Sequence, residues 1–244
     1  MRGPFDPASR PSRRLIVISG LDGSGKTTQC EILARQLGDA GIHAETVWNR
    51  WEPLISAPLI KLAKGHLTRR QRISDDDYTQ FTDAKRRTMR SPFKRRLWQL
   101  MVWSEYALEV ALRFVRRPNA VLICDRYVYD TVVDIAINFH MTADELEYLL
   151  DHPLFVLYPT PALVIFLDIA PEIGASRKTD GTPVAYLADR REYYLAMARI
   201  LNAPVIDGAG DITQVAGEIW SRTEQWRAGC AGEGKRGPKN GGYR

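Results

Sequence analysis

The chain has 244 residues, is 45% hydrophobic and carries a formal charge of +5. That length and composition fit one large α/β domain. No apolar run approaches the ~20 residues of a membrane span, and the first residues lack the apolar core of a signal peptide. The charge is unevenly spread. Residues 1–14 hold four arginines against one aspartate, and residues 230–244 hold four basic residues against one glutamate, so the body between is close to neutral. Their Gly, Pro, Ser and charged composition predicts disordered basic tails at 1–13 and 228–244 around a domain at 14–227. Solubilising ends are the simplest reading of these tails, contact with nucleic acid or acidic lipid the other. Asp6 and three prolines argue against a transit peptide. Cys30, Cys124 and Cys230 have no metal spacing. Cys30 and Cys124 fall in core elements, which suits a reduced, cytoplasmic protein.

In chain order, Leu15-Ile16-Val17-Ile18-Ser19 reads as a buried strand. Gly20-Leu21-Asp22-Gly23-Ser24-Gly25-Lys26-Thr27 follows and fits G-x-x-x-x-G-K-[ST], the phosphate-binding loop. Ile32, Leu33 and Leu37 then mark one face of a helix that stops near Gly38 and Gly41. Strand, glycine loop and helix is the order that such a loop requires. Its glycines bring main-chain N–H groups close to phosphate oxygens, Lys26 reaches the β- and γ-phosphates, and the Thr27 hydroxyl ligates Mg²⁺. Thr28 follows at the start of the helix.

Residues 43–48 form a second strand candidate that leads into Asn49-Arg50-Trp51-Glu52-Pro53. Strands separated by helices predict a parallel sheet with ligands at the carboxyl ends of its strands. Arg50 lies past such an end, as a site residue or a solvated surface arginine. Residues 54–115 read as helical, with twelve Lys or Arg against four Asp within 61–98. Those cations suit a phosphorylated acceptor, a nucleic-acid patch or plain solvated faces. Leu97, Leu100, Met101, Trp103, Leu108, Ala111, Leu112 and Val115 make a long apolar helix, read mostly as core. Trp103 or Met101 packs in that core or stacks on a ligand ring.

The apolar strand 120–124 ends in Asp125-Arg126-Tyr127. A carboxylate there holds Mg²⁺ or takes a proton, and the arginine clamps a phosphate. The alternative is an Asp–Arg pair that only caps the next helix. Asp130 and Asp134, one turn apart, face either a cationic or hydroxylated ligand or the basic helix at 85–96. Thr142 and Glu145 form a capping box for a helix at 143–150. Residues 163–168 read as a buried strand, and a helix starts at Pro171. Residues 178–183 break it, and helix resumes near Ala188, so 177–191 reads as a short lid. A last strand at 204–207 and a closing helix from about Ile212 to Trp226 complete the chain.

Four segments in this order resemble the thymidylate (dTMP) kinase family of P-loop nucleoside monophosphate kinases. They are Ser19–Gln29, Arg50 with Glu52-Pro53, Ile123–Val128 and Phe166–Glu172, within about residues 13–226. The resemblance implies the P-loop NTPase fold, an α/β architecture with a five-stranded parallel sheet flanked by helices and a short lid. It implies ATP and Mg²⁺ as cofactors and transfer of the γ-phosphoryl group to a nucleoside monophosphate, most simply dTMP to dTDP, with a homodimer as the family expectation.

Carried over residue by residue, Gly20, Asp22, Gly23, Ser24, Gly25, Lys26, Thr27 and Thr28 bind the triphosphate. Thr27 and Asp125 serve the metal, and Arg126 and Arg50 hold the acceptor phosphate. Trp103, Glu105 and Tyr127 line the acceptor. In members whose loop lacks an arginine the lid supplies one, and Gly23 occupies that loop position here. The cation then comes from Arg177, Arg190 or Arg191. One departure bears on the substrate. The arginine that reads thymine in the family falls near 104–105, where this chain has Ser104-Glu105. A carboxylate accepts hydrogen bonds, so Glu105 suits an acceptor that offers donors unless a small register shift carries it off the pocket. The other readings are a kinase of the same fold with a different nucleotide or phosphorylated metabolite, and a non-catalytic nucleotide-sensing or nucleic-acid-binding P-loop protein.

Overall fold

The computed structural model describes residues 12–50, 91–178 and 181–233. The outer tails, Glu52-Pro53 and the basic stretch 61–90 lie outside the described residues. Among the described residues there are five strands: β1 (Ser12–Gly20), β2 (Ala44–Trp48), β3 (Val121–Asp125), β4 (Pro161–Asp168) and β5 (Val205–Asp207). They form one sheet in the order β2-β3-β1-β4-β5, and every pairing is parallel. This is the α/β, five-stranded parallel sheet expected for the P-loop fold.

Helices cover both faces of the sheet, which explains the unbroken apolar runs of its central strands. Side chains on a strand alternate between faces, and β1 divides accordingly. Leu15 and Val17 join one core, Ile16 and Ile18 the other. The second core is closed by α1 (Lys26–Asp39) through Cys30, Leu33 and Leu37, and by the last helix, Ile212–Glu233, through Val215 and Ile219. The first core gathers side chains of α2 (Pro92–Val115), α3 (Val128–Phe139), α4 (Ala143–Leu150) and the 3₁₀ turn Pro153–Leu157. β1 starts before its apolar run because the Ser12 N–H donates to Thr160 O at 2.8 Å. The Thr142–Glu145 capping box opens α4 where the sequence places it.

One expectation is corrected. The apolar residues of α2 do not all enter the core. Val102, Trp103, Tyr106, Ala107 and Val110 are buried, whereas Leu97, Leu100, Leu108, Leu112 and Val115 are exposed, Val115 at 75%. The helix carries two apolar stripes, and the described residues cover the one that meets Phe155 and Tyr158.

After β4 come α5 (Pro171–Ser176) and α6 (Val184–Ile200). α6 therefore begins earlier than the sequence suggests, and residues 184–191 of the predicted lid are its first turns. Leu187, Arg190, Tyr194 and Met197 are buried along it, which is one face at helical spacing. The parallel sheet brings the carboxyl ends of its strands to one edge. Gly20, Asp125, Asp168 and Asp207 are the last residues of β1, β3, β4 and β5, and Arg50 lies two residues past β2.

Candidate active site

The phosphate-binding loop connects β1 to α1 at this edge. Gly20 has φ +131°, and a Cβ there would lie 2.1 Å from Leu167 O on β4, so only glycine fits. Gly25 has φ +88° and stands at the N-cap of α1. Apart from its chain neighbours, no described atom lies within 4 Å of where its Cβ would be, so the space beside the helix N-terminus is open. That is a cradle for an anion. Lys26 is buried and folds back over the loop, donating to Leu21 O at 2.6 Å. Burial, with Arg126 nearby, pulls its ammonium down to about 8, although Asp22, Asp130 and Asp125 pull the other way. Thr28 follows, exposed, on α1.

Asp125-Arg126 meets the loop at two points. Thr27 Oγ1 donates to Asp125 Oδ2 at 2.5 Å. Asp125 Oδ1 is buried and has no hydrogen-bond partner among the described residues. Arg126 Nη2 donates to Asp22, and its Nη1 donates to Asp130 Oδ1 at 2.6 Å. Arg126 has φ +73°, a left-handed conformation uncommon for a side-chain-bearing residue. Its N–H is fixed by Ile18 O at 3.1 Å. Burial opposes ionisation of Asp22, but Arg126 and Lys26 beside it hold the carboxyl well below the usual range.

Asp130 is fully buried and accepts four hydrogen bonds. Besides Arg126, the donors are Ser19 Oγ (2.7 Å), Tyr194 Oη (2.6 Å) and the Tyr127 N–H (3.2 Å). Burial alone would raise its pKa; Arg126, Tyr194, Lys26 and Ser19 lower it instead. One turn on, Asp134 bridges two guanidiniums. Arg50 Nη2 donates to Oδ2 at 3.2 Å, and Arg190 Nη1 donates to Oδ1. Arg190 is completely buried, with Tyr186 Oη and Tyr194 Oη each at 2.8 Å. Among the described residues, Asp130 and Asp134 thus pair with Arg126, Arg50 and Arg190.

The structure sorts the three candidate lid cations. Arg177 lies against the loop, donating to Gly23 O at 3.1 Å and Gly208 O at 3.2 Å. Arg191 forms a two-pronged pair with Asp168, 2.7 Å to each oxygen. Arg190 lies within α6 and is 0% exposed. It falls on the buried face of α6, and its guanidinium meets Arg50 across Asp134. Trp103 and Tyr127 are buried in the first core. Trp103 packs on Phe155 with ring centroids 4.9 Å apart, and Tyr127 Oη donates to Pro159 O at 2.9 Å. Glu105 is buried on α2, one turn before Glu109, which pairs with Arg113 at 3.5 Å. Ser19, Tyr186 and Tyr194 were missed. The spacing of Tyr186, Arg190 and Tyr194, four residues apart, was the only available signal.

No family model matches the chain. Two curated proteins align with most of it. The chain is 25% identical to a thymidylate kinase of Danio rerio over 216 residues, 86% of this chain and 89% of that protein. It is 28% identical to a probable thymidylate kinase 1 of Saccharolobus solfataricus over 208 residues, 83% of this chain and 93% of that protein. Over more than four fifths of its length the chain is thus similar to two thymidylate kinases, at low identity. Two features stand beside the loop: Glu105 is a buried carboxylate on α2, and the Asp130–Asp134 pair organises three arginines.

Proposed function

We propose that the protein transfers the γ-phosphoryl group of ATP to a nucleoside monophosphate, with dTMP as the leading acceptor. One observation carries this reading. Asp125-Arg126 grips the phosphate-binding loop at both Thr27 and Asp22, so the end of β3 and the loop form one site. Nucleotide binding alone uses the carboxylate for Mg²⁺; the arginine beside it is the cation that a second, phosphorylated ligand needs.

In this reading the loop amides and Lys26 hold the triphosphate, and Arg177 adds charge beside Gly23. Arg126 and Arg50 take the phosphate of the acceptor. Thr27 Oγ1 and the unpartnered Asp125 Oδ1 are hard oxygen donors that fit Mg²⁺, an ion that keeps most of its shell in water and substrate phosphates. No group of three His, Cys, Asp or Glu side chains is present among the described residues, and such a metal needs none. When bound, Mg²⁺ neutralises charge on the phosphates. The acceptor's phosphate oxygen attacks the γ-phosphorus, the bond to the β,γ-bridging oxygen breaks, and ADP leaves. The protein contributes alignment and charge, since this transfer asks little covalent chemistry of it.

Glu105 favours a second reading within the same chemistry, an acceptor that presents a hydrogen-bond donor such as an amino group or hydroxyl. We also propose a cytoplasmic homodimer, for which the exposed apolar face of α2 and the free thiols of Cys30 and Cys124 are the support. No described helix is long and apolar enough to cross a membrane. A screen of deoxy- and ribonucleoside monophosphates for acceptor-dependent ADP production tests the proposal. Turnover of dTMP or an amino-bearing nucleotide is expected. ADP formation that no nucleoside monophosphate stimulates would overturn it.

A further inference from the structure

We infer that Arg50 and Arg190 together form the seat of the acceptor's phosphate, and that the Asp134 carboxylate occupies this seat until a phosphomonoester displaces it. The inference rests on the acceptor role given to Arg50 above. It adds Arg190 as a third phosphate ligand beside Arg50 and Arg126, and Asp134 as an exchangeable stand-in anion.

The argument starts from the unequal hold on the two aspartates of α3. Asp130 is fully buried and accepts four hydrogen bonds, so it is a fixed part of the Arg126 site. Asp134 is different. Its side chain is 31% exposed, and each oxygen takes one guanidinium, Arg50 on Oδ2 and Arg190 on Oδ1. A carboxylate that bridges two arginines through separate oxygens copies the way a phosphate would bridge them. Charge points the same way. Two guanidiniums hydrogen-bond a single carboxylate among the described residues, with Asp22 acting on Arg190 from farther off. A phosphomonoester dianion would balance both cations and offer three oxygens to their planar forks.

The seat survives the exchange. Arg190 stays held by Tyr186 Oη and Tyr194 Oη at 2.8 Å, with both rings 5.4 Å from its guanidinium carbon. Its Nε has no partner among the described residues, so donor capacity remains in reserve. Arg50, 35% exposed, has room to follow a ligand. The seat also adjoins the transfer centre. Asn49, next to Arg50, donates its N–H to Asp125 O at 3.0 Å.

The test uses deoxyribose 5-phosphate, a phosphomonoester without a base, titrated calorimetrically into the full-length protein. Asp134→Asn removes the competing charge, and the probe should bind about tenfold tighter than to wild type, a gain that Arg50→Gln cancels. Arg50→Gln alone, at a half-exposed position, should weaken the probe about tenfold and keeps the test open if Asp134→Asn melts. Unchanged or weaker binding to a folded Asp134→Asn protein would make Asp134 a permanent partner of Arg190 and overturn the inference. Equal affinity of wild type and Arg50→Gln, or no binding to any variant, would overturn it as well. The outcome separates from the nucleotide reading. A tenfold gain with no nucleotide turned over sinks the substrate assignment alone, and dTMP turnover without the gain sinks the seat alone.

Discussion

Asp130 offers the deepest test of how the site is held together. Its carboxylate is fully buried, and its partners come from β1 (Ser19), the start of α3 (Tyr127 N–H), α6 (Tyr194) and Arg126. Asp130→Ala would leave the buried Arg126 guanidinium facing Asp22 alone, with three further donors unpartnered. Breaking a buried pair from one side costs roughly 3–5 kcal/mol, a large share of the ~5–15 kcal/mol that keeps a domain folded. Asp130→Asn keeps the shape but turns an NH₂ group toward donors, and its cost should fall between wild type and Asp130→Ala. Urea denaturation followed by circular dichroism gives the loss directly, and the slope of the transition should not change.

The pH dependence adds an independent readout. In the folded protein Asp130 lies below its ordinary value of 3.8. Its contribution to stability is therefore complete above about 3.8 and fades as pH falls from there through the folded value. Wild type should lose stability in that acidic window more steeply than either variant, Asp22 supplying the slope that remains. A loss under about 1 kcal/mol for Asp130→Ala, with an unchanged acid limb, would refute the claim that this carboxylate anchors Arg126.

Three further outcomes follow from the geometry. Lys26 titrates near 8 in the free protein, and its protonated form holds the triphosphate. kcat/KM for ATP should therefore be flat below about 8 and fall about tenfold per pH unit above it; a flat profile to pH 9.5 would contradict the Lys26 assignment. Gly25→Ala places a Cβ in the open cradle at φ +88°. It should cost about 1–2 kcal/mol in stability and weaken ATP about tenfold or more in equilibrium titration; full ATP affinity would move the phosphates elsewhere. If Glu105 reads the acceptor, Glu105→Arg should shift relative kcat/KM toward thymine nucleotides by about tenfold or more, and unchanged ratios across nucleotides would remove it from the pocket.

Much of the fold was legible because its signals are local. The short, β-branched apolar runs at 15–18 and 120–124 read as strands buried on both faces, and the glycine loop fixed what lay between the first strand and helix. Asp125-Arg126 was readable as a site pair because it ends a strand next to that loop. Two things resisted. Periodicity shows that α2 has apolar faces, but which stripe is covered depends on Phe155 and Tyr158, distant in sequence. Arg190 read as a lid cation because it follows a Gly-Pro break, yet its position on the Leu187–Tyr194–Met197 face buries it. Its link to Arg50 runs through Asp134, 84 residues from Arg50 along the chain, a contact that no spacing rule anticipates.

The most direct test of the central claim is the fate of the γ-phosphoryl group. The protein with ATP, Mg²⁺ and dTMP should give, by ³¹P NMR, dTDP and ADP in equal amounts, and Lys26→Ala should lose at least about 10²–10³-fold in rate while keeping its fold. If dTMP is inert, the acceptor found in the nucleotide screen takes its place in the same measurement. ADP and free phosphate without any nucleoside diphosphate product, or full turnover by Lys26→Ala, would contradict the account.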